Sequence, residues 1–319
     1  MIHFKPQHLL WISLSILLLL ACTDPKNKTA NSPSQQTDST KNAFRATAIP
    51  LTLGTPEAKA DFIMVHYWDR FDFSDTTLVL SSEYSEQAFA DFVTLLNNVP
   101  SSIAKKGVDE LMSRSANVKP IYNLFTELAE KYLYDPNAST RNETIFELFL
   151  ESRLKNTNLE EVYKLRARNL LKLIKRNKTG STATDFTYTL KDGSKSRLSM
   201  LSANLLLLYF HNPDCHDCKT TREKMLASQL FKKLTKEGTL KVLALYPDED
   251  LTAFKANEKE MPSEWIYAYD KGCFIKNNDL YDLKAIPTLY LLDKDKTVLL
   301  KDIPFEVLES YLAKYMGLH

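Results

Sequence analysis

Two periodicities divide the chain. From about residue 53 to 179 the apolar positions recur at helical spacing. Ala88, Phe89, Phe92, Leu95 and Leu96 form one face; Ile121, Leu124, Phe125, Leu128 and Tyr132 form a second; Ile145, Phe146, Phe149 and Leu150 form a third. This stretch therefore predicts an α-helical domain. Pro100, Pro120 and Pro136 fall where elements change, at first turns or in loops that tolerate a missing N–H. A last helix over 159–178 sets Val162, Leu165, Leu170, Leu173 and Ile174 against a run of Lys and Arg, which reads as a solvated face. Lys178, Thr179, Gly180 and Ser181 mark the end of the helical pattern.

Beyond that boundary short apolar runs alternate with helical stretches. Residues 186–190 and 196–198 flank Lys191-Asp192-Gly193-Ser194 as a hairpin. The unbroken apolar run 205–210 predicts a buried strand, followed by a helix over 216–236, a strand over 240–246 and a helix from about 251 to 260. A short strand over 265–269, a hairpin of 288–292 with 298–301, and a terminal helix starting at Pro304 complete an α/β domain over 180–319.

The N-terminus has another character. Lys5 precedes an apolar stretch over 9–21, too short to cross a bilayer comfortably, which predicts a signal peptide over 1–21 rather than a membrane helix. The run Leu19-Leu20-Ala21-Cys22 resembles a bacterial lipobox, which implies an acylated Cys22 and a membrane contact through its lipid. Residues 22–50, rich in Thr, Ser, Asn, Gln and Lys, read as a flexible tether reaching on the order of 30 Å. Thr23, Asp24, Pro25 and Lys26 supply no acidic cluster after Cys22, so a periplasm-facing lipoprotein of the cell envelope, in the outer membrane, is expected. The net charge of +1 at pH 7 provides no field to gather nucleic acid, and no nucleic-acid partner is expected.

The candidate chemistry lies in Cys215-His216-Asp217-Cys218, where the apolar run ends and a helix opens. Unpaired amides and the positive dipole end of a first helical turn favour thiolate over thiol, which makes Cys215 the expected nucleophile. Cys218, three residues on, shares its helix face and can close a disulfide with little backbone movement, so it is the expected resolving thiol. A protonated His216 would favour the thiolate; Asp214 and Asp217 would oppose it. With Cys22 acylated, Cys273 is a spare thiol and reads as a small, semi-buried side chain. His211, His216 and the two cysteines have no second C-x-x-C or spaced His pair to complete a zinc site, so no metal is expected. Lys219 stands where haem attachment needs a histidine, and no cofactor is expected. The aromatic run from Tyr67 to Phe73 reads as core packing.

A strand, a C-x-x-C at a helix start, a crossover strand and helix, then Ala285-Ile286-Pro287-Thr288 opening a hairpin: this order resembles the thioredoxin-like fold over residues 180–319. It is most similar to exported TlpA/ResA-type thiol-disulfide oxidoreductases. The resemblance implies a central mixed sheet flanked by helices, a cis Pro287 facing the dithiol, and an Ile286 backbone that pairs with an incoming peptide. Its implied partners are disulfide-containing proteins and a redox partner. Asp214 departs from the tryptophan that usually precedes the first cysteine, and Tyr209 from the buried acid of the central strand. The helical half resembles an uncharacterised domain found ahead of thioredoxin-like domains in Bacteroidetes-type lipoproteins. The implied function is a membrane-tethered oxidoreductase that reduces or exchanges disulfides of exported proteins; the alternative is a partner-binding lipoprotein whose thioredoxin-like domain is a redox-gated scaffold.

Overall fold

Helix starts in the first half are set by short polar side chains. The computed structural model describes residues 44–318; the signal peptide expected over 1–21, Cys22 and most of the expected tether lie outside the described residues. Within them the first half comprises α1 (Pro56–His66), α2 (Thr76–Val79), α3 (Ser82–Leu96), α4 (Ser101–Ser115), α5 (Lys119–Leu133), α6 (Glu143–Lys155) and α7 (Glu161–Lys175). Thr55 Oγ1 accepts from Ala58 N at 3.1 Å at the start of α1, where Pro56 loses no bond. Asn142 Oδ1 accepts from Thr144 N at 3.0 Å and Ile145 N at 3.2 Å at the start of α6. Asn142→Ala is accordingly expected to cost about 1 kcal/mol in urea unfolding of the whole chain, the usual worth of such a cap.

The helices close around Trp68, which is fully buried with the rings of Phe71, Phe92 and Phe125 edge-on at 5.1, 5.2 and 5.2 Å. The aromatic run is thus core, as its composition indicates. Phe44 joins it, its ring 5.6 Å from that of Trp68, so the end of the segment assigned to the tether is bound into the helical core. At Gly107 a Cβ would lie 3.1 Å from Met64 Sδ and Phe92 Cζ, which is how α4 comes close to α1. In α7 the expected apolar stripe holds at Leu170 and Ile174 but not in the first two turns. Val162 and Leu165 are 67% and 53% exposed, while Lys164, Ala167 and Ile174 are buried as α7 packs on α6. The Lys164 stem lies along apolar surface and its ammonium meets Glu161 at 3.2 Å.

The second half comprises β1 (Thr187–Leu190), β2 (Lys195–Arg197), β3 (Leu205–Phe210), α8 (His216–Ala227), α9 (Gln229–Lys236), β4 (Leu240–Tyr246), α10 (Leu251–Ala256), β5 (Ile266–Tyr269), α11 (Phe274–Asn277), β6 (Thr288–Asp293), β7 (Val298–Lys301) and α12 (Phe305–Tyr315). Its mixed sheet runs β2-β1-β5-β4-β3-β6-β7, with β3 parallel to β4 and antiparallel to β6. Every residue of β3 is buried. Leu205, Leu207 and Tyr209 face a core shared with Met225, Phe231 and Leu308; Leu206, Leu208 and Phe210 face one shared with Tyr188, Ile275 and Tyr281. The helix expected over 216–236 is two helices. Ser228 leaves helical geometry at ψ 121° and its Oγ caps Phe231 N at 3.1 Å, restarting the chain as α9.

The two halves meet without a long linker, and the described residues belong to one compact unit. Asn177, at φ 51°, makes the join: its Nδ2 donates to Leu280 O at 2.8 Å and its Oδ1 accepts from Thr184 N at 2.7 Å. Asparagine tolerates this left-handed conformation because its short amide bonds nearby backbone.

Candidate redox site

Where β3 ends, the backbone keeps its partner for one more step and then folds over the helix start. His211 N donates to Leu245 O at 3.1 Å. Asn212 organises the turn: its Nδ2 donates to Asp248 Oδ2 at 3.0 Å, its Oδ1 accepts from Asp214 N at 3.0 Å, and its carbonyl accepts from Cys215 N at 3.2 Å. Cys215 is the N-cap of α8, and its Sγ accepts from Cys218 N at 3.0 Å. A helix start with a sulfur in the capping position places backbone N–H groups and the dipole's positive end against that sulfur.

Cys215 and Cys218 are joined as a disulfide, their Cα atoms 5.2 Å apart. Cys215 is half-buried, whereas Cys218 is 2% exposed beneath it. The Cys218 Sγ accepts from Asn212 N at 3.5 Å, and the Tyr209 hydroxyl donates to Cys218 O at 2.7 Å. Tyr209, in place of an acid, therefore holds the backbone of the buried cysteine.

The Ile286–Pro287 peptide is cis and lies across from the dithiol. Ile286 O is 3.4 Å from Cys215 Sγ, and among the described residues the Ile286 N–H has no acceptor. A backbone donor without an acceptor beside a reactive sulfur is suited to pairing with another backbone.

Behind Cys218 the polar groups are held in one protonation state. Burial, with the Arg222 guanidinium adding to it, pushes the His211 imidazole down to about 3, so it is neutral across the physiological range. Its ring stacks on Tyr209 at 4.9 Å. Burial pushes the Tyr209 hydroxyl well above the ordinary phenol range, outweighing the pull of Arg222, and it stays a donor. Arg222, one turn after Cys218 in α8, pairs with Glu260 and approaches Asn257 Oδ1 at 3.5 Å.

Asp214, His216 and Asp217 are exposed around the rim. His211 is buried and His216 exposed, and among the described residues no group of three or more His, Cys, Asp and Glu is arranged to hold a metal ion. Cys273 is buried at the start of α11, where burial and then the carboxylates Glu249, Asp270 and Asp248 push its thiol up.

Sequence reading missed a charge cluster behind the Ile286–Pro287 loop. Lys284 Nζ lies 2.8 Å from Asp282 Oδ2, 3.0 Å from Glu143 Oε1 and 3.2 Å from Asp302 Oδ2. The Tyr134 hydroxyl donates to Asp282 Oδ2 at 2.9 Å, Lys301 meets Glu143 at 2.7 Å, and Arg141 meets Asp302 at 2.8 Å. Two residues before Ile286, the chain is thus fixed to the ends of α5 and α6 of the helical half.

Residues 203–298 match a family described as thioredoxin-like, and residues 21–177 match one described as a domain of unknown function, DUF5106. The crystal structure of a thioredoxin-like protein from Bacteroides caccae ATCC 43185 is 43% identical, covering 85% of this chain and 98% of that one at a TM-score of 0.80. This chain belongs to the thioredoxin-like proteins. A match of that extent spans the helical half of this thioredoxin-like protein as well as its sheet. The C-terminal domain of an uncharacterised protein from Bacteroides fragilis NCTC 9343 is 48% identical over 43% of this chain and 98% of that one, with a TM-score of 0.42. The thioredoxin domain of a thiol-disulfide oxidoreductase from Bacteroides vulgatus is 19% identical over 43% of this chain and 97% of that one, with a TM-score of 0.38. No curated protein matches the chain. Among the described residues no helix is long and apolar enough to cross a membrane.

Proposed function

We propose that this thioredoxin-like protein is a thiol-disulfide oxidoreductase acting on exported proteins from a lipid tether at Cys22. The observation that carries the reading is the asymmetry of the pair. Cys215 caps α8 and is accessible beside Ile286 O, whereas Cys218 is buried below it. An incoming disulfide meets one sulfur only.

In the reducing direction the Cys215 thiolate attacks one sulfur of the substrate S–S bond. The other substrate sulfur leaves as a thiolate and takes a proton, and a mixed disulfide remains. Cys218 then gives up its proton and attacks Cys215 Sγ. This breaks the mixed disulfide, and the proton ends on the released substrate thiol. Two electrons have passed from the dithiol to the substrate, and the protein is left with the Cys215–Cys218 disulfide. A dithiol redox partner restores it by the same steps in reverse. The N-terminal amides of α8 stabilise the thiolate both as attacker and as leaving group.

The cellular setting of the proposal, a periplasm-facing lipoprotein of the outer membrane, is supported by the order of Lys5, the apolar stretch, Ala21 and Cys22. Trapping tests the whole reading. Cys218→Ser cannot resolve the first intermediate, so it is expected to accumulate mixed disulfides with exported proteins through Cys215, visible as bands lost on reduction. Recovery of no disulfide-linked protein from cells that export the folded variant would exclude the activity and leave the scaffold reading.

A further inference from the structure

The turn between α5 and α6 brings the helical half to the groove that Ile286 and the start of α8 line beside the dithiol. Asn137 N donates to Asp135 Oδ1 at 2.8 Å and Arg141 N to Ala138 O at 3.1 Å, so residues 136–141 form an internally bonded turn. Its base is fixed to the other half: Arg141 donates to Asp302 Oδ2 at 2.8 Å and to Asp302 O at 2.6 Å. Between this turn and the start of α8 runs an open groove of about 720 Å³. It is lined by Ile286 and Pro287, by Asp217 and Thr221 of α8, and by Asn137, Ala138 and Ser139 of the turn. Pro304 and Phe305, at the start of α12, also line it.

We propose that the 136–141 turn is the second wall of the substrate groove, and that the occupant is an extended polypeptide segment flanking the substrate's cysteine. This rests on the exchange activity proposed above and gives the helical half a part in it. Three observations select a polypeptide. Ile286 lines the groove and its carbonyl lies 3.4 Å from Cys215 Sγ, so a chain bonded to that sulfur lies beside it. The Ile286 N–H is unpaired among the described residues, and a carbonyl of an extended backbone at strand spacing would satisfy it. The groove is lined by Pro287 and by Pro304 and Phe305 at the start of α12, and its volume of about 720 Å³ is more than a small disulfide fills. Its lining is mixed, with charged Asp217, Lys224 and Glu306 and apolar Ile286, Leu289 and Phe305, so a segment lying in it meets both kinds of surface.

Because the turn is far from the sulfurs in sequence and bonds neither of them, filling it changes what fits rather than the chemistry. The test compares kcat/KM for a synthetic peptide disulfide held in an extended segment with kcat/KM for hydroxyethyl disulfide, using the full chain. Ala138→Trp narrows the groove from the wall, and Ser139→Trp does so from an exposed position that leaves the core untouched. In both variants the peptide-to-small-disulfide ratio is expected to fall about tenfold or more, mostly through KM, as removal of a binding surface does. A ratio equal to the wild-type value in both variants would overturn the groove assignment while leaving the exchange activity standing. A wild-type chain inert toward both disulfides would instead overturn the exchange reading, and this inference with it.

Discussion

Cys215→Ser is expected to abolish disulfide exchange, lowering kcat/KM by about a thousandfold or more, the scale on which enzymes lose rate with their nucleophile. A hydroxyl at this position stays protonated at neutral pH and does not attack a disulfide, so no weaker version of the same step survives. The loss would not reflect unfolding. Cys215 is the N-cap of α8, with its Sγ accepting from Cys218 N, and serine is among the best residues for that place. The 215–218 bridge joins residues only three positions apart, so its removal releases little chain entropy. Insulin reduction by a chemical dithiol, followed as turbidity with and without the protein, measures the effect. Catalysis by Cys215→Ser within tenfold of wild type would mean that the Cys215 sulfur is not the attacking one.

The site was legible where its logic is local. A buried strand ending in C-x-x-C at a helix start needs only some fifteen neighbouring residues to be read, and the capping geometry of Cys215 follows from it. Pro287 was legible through the resemblance to a family, since nothing near it in sequence distinguishes it from other prolines. Tyr209 was visible as a substitution for an acid, but its bond to Cys218 O was not, because a side chain on a buried strand does not announce which atom it reaches. The Lys284 cluster was invisible for a different reason. Glu143 and Lys284 are separated by 141 positions, and each reads alone as an ordinary surface charge. Helical periodicity likewise gives a stripe without its extent: Leu170 and Ile174 pack as their spacing indicates, yet at the start of α7 Val162 and Leu165 fit the spacing and are exposed while Lys164 and Ala167 are buried. Ser228 is neutral in a helical pattern and only its capping bond to Phe231 shows why α8 and α9 are separate.

The Lys284 cluster also carries a large stability effect. Lys284 is 11% exposed and is the only cation within reach of all three carboxylates of Asp282, Glu143 and Asp302 among the described residues. Lys284→Met keeps the apolar stem but leaves Asp282, 2% exposed, with the Tyr134 hydroxyl in place of a charge. Breaking a buried pair by removing one partner costs about 3 to 5 kcal/mol, because the remaining charge stays desolvated. A loss of about 3 kcal/mol is expected in urea unfolding, against less than about 0.5 kcal/mol for the exposed Lys294→Met. The cluster also titrates. Burial pushes the Glu143 carboxyl up, but Lys301 and Lys284 outweigh it and hold it below the ordinary 4.5. The unfolded chain therefore takes up a proton before the folded one does. The contribution of Glu143 is complete above about pH 4.5 and is lost as pH falls through the folded value. His211 works in the same direction over a higher range: it stays neutral in the fold down to about 3, while the unfolded imidazole protonates below 6.5. Wild type and Glu143→Gln share the His211 contribution, so the difference between their stability curves isolates the carboxylate. Glu143→Gln is expected to be the less stable above pH 4.5 and to converge on wild type as the pH is lowered further. Parallel curves would mean that Glu143 holds α6 to the Ile286–Pro287 loop by packing and hydrogen bonding alone.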